Sequence, residues 1–262
     1  MRKFNKPISS FKNRTVLVVG ASSGIGMEIA KELRFLGENL IVSARRAFLL
    51  EEEFSNNTSV KMDVANERSV EEFFETIENR QLKIDIVFWC AAIYTPMSYI
   101  KFSYAEVKKI TEINLLSVYQ PFLKITQHWL NNRTEFPHNP HWIWVSSVAG
   151  YFGLPGSCAY GPSKSALNNI AESSYVEFKP FNIDISLVCP GFVDTRLTKK
   201  NRFQMPFIIT PKTASEEIFS GLRKGLFENH FPKRFTVVLK IIQLLPYRLF
   251  FFFTAKLLQK KD

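Results

Sequence analysis

The stretch TVLVVGASSGIGMEIAKELRFLG, residues 15–37, decides the fold. A run of apolar and β-branched residues leads into three glycines, Gly20, Gly24 and Gly26, and apolar residues at helical spacing follow. Glycines between a strand and a helix permit a tight turn and a close approach of the backbone to a ligand. Because the N–H groups at the helix start then face a negative charge, the stretch predicts a dinucleotide site. The alternative is a turn that serves only the backbone.

Strands and helices continue to alternate along the chain. Further apolar, β-branched runs predict strands at residues 40–43, 59–62, 85–91, 142–146 and 184–189. Segments of helical period predict helices at residues 25–36, 69–79, 105–130 and 163–178. This order predicts an α/β fold, with a doubly wound, mainly parallel, Rossmann-like sheet that carries helices on both faces. Ligands of such sheets bind beyond the carboxyl ends of the strands.

Length and composition favour one domain. The chain has 262 residues, 46% of them hydrophobic, which is enough for one substantial core. We predict a single domain over residues 1–232 and an amphipathic helical extension over residues 233–262. The three cysteines, Cys90, Cys158 and Cys189, lie far apart in apolar segments. This disfavours a disulfide framework or a zinc site, so we expect a reducing cytoplasm and no metal.

The chain is strongly basic. Its 34 Lys and Arg against 24 Asp and Glu give a net charge of +10, which suits an anionic cofactor, a nucleic acid or an anionic membrane surface. Much of the excess lies in the C-terminal extension and after the second predicted strand, and no nucleic-acid recognition module is evident. We therefore expect no nucleic-acid partner.

The residues after the second predicted strand indicate which dinucleotide binds. Sites for NAD commonly carry an acid here, whereas a 2′-phosphate calls for arginine. Ala44 stands where the acid would be expected, and Arg45 and Arg46 follow. We therefore predict NADP(H) as the cofactor. The alternative is that the two arginines belong to a solvated loop.

A tyrosine and a lysine lie one helical turn apart in CAYGPSKSAL, residues 158–167. In a helix, Tyr160 and Lys164 project from the same face, and Pro162 is tolerated only near the helix start. The neighbouring ammonium should lower the pKa of the tyrosine. An isolated pair of this kind is more often a solvated surface pair, so its interpretation depends on the rest of the chain.

Four polar residues and the glycine spacing together resemble the short-chain dehydrogenase/reductase family. The spacing is G-x-x-x-G-x-G, and the polar residues are Asn114 in INLLSVY, Ser147 at the end of WVSS, Tyr160 and Lys164. PGFVDT, residues 190–195, matches the segment that flanks the nicotinamide in the family, and the resemblance runs from about residue 15 to residue 195. Taken singly, these residues could be a polar helix surface, a strand-end cap and a solvated charge.

The resemblance implies a catalytic, NAD(P)-binding domain that transfers a hydride between nicotinamide and a carbonyl/alcohol substrate. It makes Tyr160 the proton donor, Ser147 a hydrogen-bond partner of the substrate oxygen, Lys164 a ligand of the nicotinamide ribose and Asn114 the support of a water. It also implies a homodimer or homotetramer. The implied cofactor contacts are Gly20, Ser22, Ser23, Gly24, Ile25, Gly26, Arg45, Arg46, Asp63, Val64, Ala91, Ala92, Tyr160, Lys164, Pro190, Gly191, Val193 and Thr195.

Two departures from the family pattern favour a second hypothesis. Val19 stands where the family usually has threonine, and WCAAI, residues 89–93, replaces its Asn-Asn-Ala-Gly segment. With Trp89 in place of the family's first asparagine, a polar contact between this side chain and the sheet is lost. With the unusual C-terminus, these changes motivate the alternative of a catalytically idle protein that binds a nucleotide or acts as a membrane-associated interaction protein.

The C-terminal extension is apolar and basic. Thr236, Lys240, Gln243 and Tyr247 recur at helical spacing as a polar stripe, and Pro246 predicts a break. Basic residues interrupt the segment too often for a membrane span. We expect residues 235–258 to lie on an anionic membrane surface, which makes the protein cytoplasmic and peripheral at a membrane face. The equal alternative is packing on its own domain or across a subunit interface.

The segment RLTKKNRFQMPFIIT, residues 196–210, occupies the region that covers the substrate in the family. We call it the covering segment. Its apolar residues 205–209 favour a hydrophobic or lipid-like carbonyl substrate, with core packing as the alternative.

Overall fold

The computed structural model describes residues 3–36, 39–201 and 203–255. One sheet contains β1 (Thr15–Val19), β2 (Asn39–Ala44), β3 (Thr58–Lys61), β4 (Ile86–Trp89), β5 (His141–Val145), β6 (Asp184–Pro190) and β7 (Glu228–Phe231). The order is β3-β2-β1-β4-β5-β6-β7, and each neighbouring pair is parallel. The predicted doubly wound sheet is confirmed. Its strand order reverses between β1 and β4, where such sheets bind ligands.

Helices cover both faces of the sheet. They are α1 (Gly24–Phe35), α2 (Phe48–Glu53), α3 (Glu67–Asn79), α4 (Tyr104–Thr111), α5 (Ser117–Asn131), α6 (Tyr160–Phe178), α7 (Pro211–Lys224), α8 (Lys233–Gln243) and α9 (Tyr247–Ala255). Side chains of β1 alternate between two cores, because successive strand residues point to opposite faces. Val16 and Val18 pack with residues of α1 and α7. Leu17 and Val19 pack with residues of α3, α5 and α6.

The predicted pattern misses two features of the structure. The predicted strands omit β7, whose sequence ENHF is polar at three of four positions and which lies at the edge of the sheet with alternating burial. The helix predicted at residues 105–130 is α4, a π-helical segment Glu112–Leu116 and α5. A π segment inserts an extra residue into the helical repeat, and such insertions often mark functional sites. Asn114 lies at its centre.

The polar stripe of the extension faces the domain. Thr236 is fully buried and hydrogen-bonds Nδ1 of His230 at 2.6 Å. Lys240 pairs with Glu228, and the Gln243 amide donates to the carbonyl of Tyr151 at 3.0 Å. Tyr247 does not continue the stripe: it is exposed and begins α9, because α8 ends at Gln243, before Pro246.

The predicted extension is described as far as residue 255, and residues 256–262 lie outside the described part of the chain. Within residues 3–36, 39–201 and 203–255, none of the helices combines the length and the apolar character that a membrane span requires.

Candidate active site

The glycine turn packs directly against the end of β4. Gly20 has φ +87°, and a Cβ there would lie 2.8 Å from the backbone nitrogen of Ala91. A Cβ on Gly26 would lie 2.5 Å from the carbonyl oxygen of Gly20. Both distances are shorter than real Cβ contacts, so these positions require glycine. The Gly20 N–H donates to the carbonyl of Ser43 at 2.8 Å, which ties the turn to β2 as well.

The first turn of α1 has the features of an anion site. Ser23 is the N-cap residue, and its side chain makes no capping hydrogen bond. The N–H groups that open a helix have no partner within it, and they favour a phosphate. Ser22, Ser23 and Ile25 are all partly exposed here. A Cβ on Gly24 would meet Cγ2 of Thr195 at 3.2 Å, so the segment after β6 reaches the same turn.

The remaining predicted cofactor residues follow the carboxyl ends of neighbouring strands. These are Arg45 and Arg46 after β2, Asp63 and Val64 beyond β3, Ala91 and Ala92 beyond β4, and Pro190, Gly191, Val193 and Thr195 at and after the end of β6. Both arginines are exposed, and Asp63 is half-buried. The Val193 side chain is 3% exposed and packs in the core, which leaves its backbone as the part that a ligand could reach.

Ser147, Tyr160 and Lys164 come together where β5 ends and α6 begins. Ser147 follows β5, its Oγ accepts from the Ala149 N–H at 3.1 Å, and it lies near enough to Tyr160, the first residue of α6, to affect the pKa of that tyrosine. Lys164 is 2% exposed. Its ammonium donates to the carbonyl of Val145 at 2.9 Å and lies 5.8 Å from the ring centroid of Tyr160. The pair is therefore not a solvated surface pair, because Lys164 is buried and Tyr160 is partly buried.

Asn114 connects this group to the loop after β4. It is 1% exposed, so it is not a polar residue of a helix surface. Its Oδ1 accepts from the Ile93 N–H at 2.8 Å, and its Nδ2 donates to the Ile93 carbonyl at 2.9 Å. Nδ2 also donates to Oγ of Ser163 at 3.1 Å, beside Lys164. The side-chain amide of Asn114, in the π segment, therefore hydrogen-bonds both the loop after β4 and α6.

Burial controls the electrostatics of the site. It raises the pKa of Tyr160 to about 12, although the nearby Ser147 hydroxyl acts in the opposite direction. The predicted lowering by Lys164 is therefore wrong for this arrangement, because the ammonium points at the Val145 carbonyl and lies over the ring. Burial also lowers the pKa of Lys164 to about 8 and raises that of the neighbouring Cys90 thiol to about 12.

At Trp89, aromatic packing takes the place of the polar contact that an asparagine would make with the sheet. Its indole stacks on Trp142 with centroids 5.9 Å apart, and Trp142 also contacts Trp129 and Trp144. All four tryptophans of the chain belong to this buried cluster. Val19, the other departure, is 1% exposed, and its carbonyl accepts from the Cys90 N–H at 2.9 Å. Both changes thus fill the core beneath the loop.

Sequence reasoning missed Tyr94. Its ring packs edge-on against Tyr160 with centroids 5.0 Å apart. The available signal was its position two residues beyond Ala92, at the carboxyl edge of the sheet.

Among the residues that the structure describes, no group of three or more His, Cys, Asp or Glu side chains could hold a metal ion. His141 is 2% exposed and hydrogen-bonds Oγ of Ser186 at 2.9 Å. Burial lowers its pKa to about 4, so it is a neutral core residue.

Known proteins share this architecture. An oxidoreductase of uncharacterised activity from Myxococcus xanthus is 28% identical over 244 residues, which cover 90% of this chain and 94% of that one. A short chain dehydrogenase from Burkholderia cenocepacia, solved with NADP, superposes with a TM-score of 0.76 at 17% identity, covering 95% of this chain and 97% of its own. A 3-ketoacyl-(acyl-carrier-protein) reductase from Brucella melitensis, solved with NADH, gives 0.75 at 18% identity, covering 84% and 98%.

The two solved structures establish the fold. The family follows from the sequence, because residues 14–206 match the model of the short chain dehydrogenase family. The chain belongs to the short chain dehydrogenase family of nucleotide-binding oxidoreductases.

Proposed function

We propose that the protein is an NADP(H)-dependent oxidoreductase that transfers a hydride between nicotinamide and a hydrophobic or lipid-like carbonyl/alcohol substrate. One observation carries the proposal: Ser147 and Tyr160 stand together at the carboxyl edge of the sheet, with Lys164 buried one helical turn away and hydrogen-bonded to the end of β5. The glycine turn lies at the same edge.

The residues fit the proton chemistry of such a reaction. When bound, the nicotinamide supplies or accepts the hydride. Reduction of a carbonyl leaves negative charge on its oxygen, and a positioned acid must deliver a proton as that charge develops. Tyr160 is protonated at neutral pH, and burial raises its pKa further, to about 12. Its hydroxyl donates that proton, and Ser147 hydrogen-bonds the substrate oxygen.

Lys164 and Asn114 support this step. Lys164 would hold the nicotinamide ribose beside Tyr160, and Asn114, fixed between Ile93 and Ser163, would hold a water beside the lysine. These assignments extend the family resemblance to residues that lie together at the edge of the sheet.

Arg45 and Arg46 support NADP(H) over NAD(H). Both are exposed at the end of β2, and neither forms an ion pair with another described residue. Ala44 is buried and offers no carboxylate to the ribose. Two unpaired guanidinium groups at this point suit a 2′-phosphate.

The charge on Lys164 argues against a catalytically idle protein. A buried ammonium is costly to keep, and apolar residues of similar volume often replace buried charges without loss of stability. Proteins keep destabilising residues of this kind where function requires them.

Apolar side chains support a hydrophobic substrate. Phe192, next to the predicted nicotinamide contact Gly191, packs against Phe203 of the covering segment with centroids 5.7 Å apart. Phe207 and Ile208 of the same segment are exposed. A wall of this kind would favour an apolar carbonyl compound over a polar one.

An anionic membrane surface is the second proposed partner. With its polar stripe docked on the domain, α8 presents Val237, Val238, Ile241 and Leu244 outward. Helix α9 docks through Phe250 on Phe152 and exposes other aromatic residues, among them 251 and 253. Residues 229–261 include seven Lys and Arg and no acid. This charge would repel a second copy of the same face and would attract anionic lipids.

A homo-oligomer is proposed through a different surface. Leu116, Tyr119 and Leu123 are exposed at helical spacing along the π segment and α5. Such a stripe suits a two-fold contact between copies.

The reaction is tested with a panel of aliphatic, steroid and acyl-chain carbonyls. NADPH oxidation should exceed NADH oxidation with at least one of them, and Tyr160→Phe should reduce kcat on the order of 100-fold or more because the proton donor is gone. Tyr175→Phe is the matched control, since it removes a hydroxyl that bonds the Phe4 carbonyl at 2.8 Å. Full turnover by Tyr160→Phe contradicts the assignment. NADPH binding without turnover of any compound supports the idle protein instead.

The variant Lys164→Met tests how much the buried Lys164 ammonium lowers the free energy of unfolding. The pKa of Lys164 falls from 10.5 in the unfolded chain to about 8 in the folded protein. Below pH 8 the folded state therefore carries a destabilising charge, and stability recovers as the pH rises from 8 to 10.5. Lys164→Met should be more stable than the wild type at pH 7, on the order of 1–3 kcal/mol. Denaturant unfolding should show this difference shrinking towards pH 10.5, and a pH-independent difference would contradict it.

Membrane binding is tested by flotation with vesicles that contain anionic lipid. The double variant Ile241→Glu, Leu244→Glu should weaken binding about tenfold or more, because both side chains lie on the outward face of α8. Ile100→Glu with Val176→Glu carries the same charge change at exposed positions elsewhere and should bind like the wild type. Equal binding by all three proteins would rule out this surface.

A further inference from the structure

Tyr94 stands between the proposed proton donor and the covering segment. Its ring meets the ring of Tyr160 edge-on, at 5.0 Å between centroids and an interplanar angle of 70°. Its hydroxyl donates a hydrogen bond of 2.8 Å to Oδ1 of Asn201. One side chain therefore touches both Tyr160 and the segment that follows β6.

The backbone that carries Tyr94 is fixed. Asn114 holds both the N–H and the carbonyl of Ile93, at 2.8 and 2.9 Å. Because the next residue is Tyr94, its position depends on the same amide that braces α6 through Ser163. Tyr94 is thus connected to the proposed catalytic residues by its backbone, through Asn114, as well as by its ring, through Tyr160.

The covering segment is attached to Tyr94 at two points, and its structure is described except at residue 202. Nζ of Lys200 donates to the Tyr94 carbonyl at 2.7 Å. The Asn201 amide that accepts from Tyr94 also lies 3.3 Å from Sδ of Met205 through its nitrogen. Partial burial raises the pKa of Tyr94, so its hydroxyl remains a donor at neutral pH.

We propose that Tyr94 is a positioning residue that holds the covering segment over the substrate through its hydroxyl and fixes the ring of Tyr160 through its own ring. The proposal rests on the oxidoreductase function proposed above. The two parts of the side chain have separate roles: the hydroxyl acts on substrate binding, and the ring acts on proton transfer.

The hydroxyl is tested by Tyr94→Phe, which keeps the ring against Tyr160. KM for a carbonyl substrate should rise about tenfold, as expected for one lost hydrogen bond, while kcat stays within about twofold. Asn201→Ala should give the same KM, and the double variant should be no worse than either single variant. Additive effects of the two changes would overturn the assigned contact.

The ring is tested by Tyr94→Leu. Losing the edge-on contact should lower kcat about tenfold, because Tyr160 is no longer held for proton transfer. The presence of Tyr94 contributes to the raised pKa of Tyr160, so the alkaline limb of the kcat profile should move to lower pH. Tyr175→Phe again serves as the control. An unchanged kcat and pH profile in Tyr94→Leu would overturn the role of the ring.

Hydrogen exchange of the full-length chain gives a readout that does not need turnover. Amides of residues 198–201 and 203–209 should exchange faster in Tyr94→Phe and Asn201→Ala than in the wild type and in Tyr175→Phe. If the wild type turns over no carbonyl, the proposed function fails, and the exchange rates still decide whether Tyr94 holds the segment. Wild-type exchange together with wild-type KM in Tyr94→Phe would overturn the proposal.

Discussion

The close approach of three backbone segments at Gly20, Gly26 and Ala91 is the constraint on which the site depends. A single added Cβ at either glycine would overlap backbone atoms, with contacts of 2.8 and 2.5 Å. Because the turn is this tight, α1 starts directly above the ends of β1 and β4. Its first N–H groups then point to the place where the strand order reverses.

The polar side chains at the carboxyl edge of the sheet each contact two different elements of the structure. Asn114 holds the loop after β4 and also α6, and Lys164 is bound to the end of β5 while its ammonium lies over the ring of Tyr160. The covering segment is held in turn by Tyr94. Proton transfer needs such fixed geometry, because a small displacement of the donor costs much of the rate. Rigidity here is a consequence of burial, which also sets the pKa values of Tyr160 and Lys164.

The extension adds a second layer to the same site. Phe235, in the first turn of α8, stacks on Phe192 and fills the space that a Cβ on Gly191 would need. Lys240 and Gln243, which belong to the polar stripe of α8 that faces the domain, both contact Tyr151. The proposed membrane surface thus lies on the back of a helix whose front supports the active site, so removal of the whole extension would disturb both.

Much of the fold and the placement of Ser147, Tyr160 and Lys164 near one another could be predicted because short motifs and periodicity reflect local chemistry. The strands that flank the glycine turn and the positions of Ser147, Tyr160 and Lys164 followed from such patterns. The π segment at Asn114 did not, since one inserted residue barely changes the apolar repeat. The stripe of Thr236, Lys240 and Gln243 could be seen in the sequence, but the pattern does not say which face meets the domain. Tyr94 was missed because its partner, Asn201, is 107 residues away.

The central claim, that the backbone contacts of the glycine turn build the dinucleotide site, is tested most directly by NADPH affinity. Binding can be followed by energy transfer from the tryptophan cluster, which includes Trp89 at the end of β4. Gly26→Ala should weaken NADPH binding about tenfold or more, because its Cβ would open the turn. Gly153→Ala, where a Cβ would meet nothing within 4 Å, should bind like the wild type. Equal affinity of the two alanine variants would contradict the account.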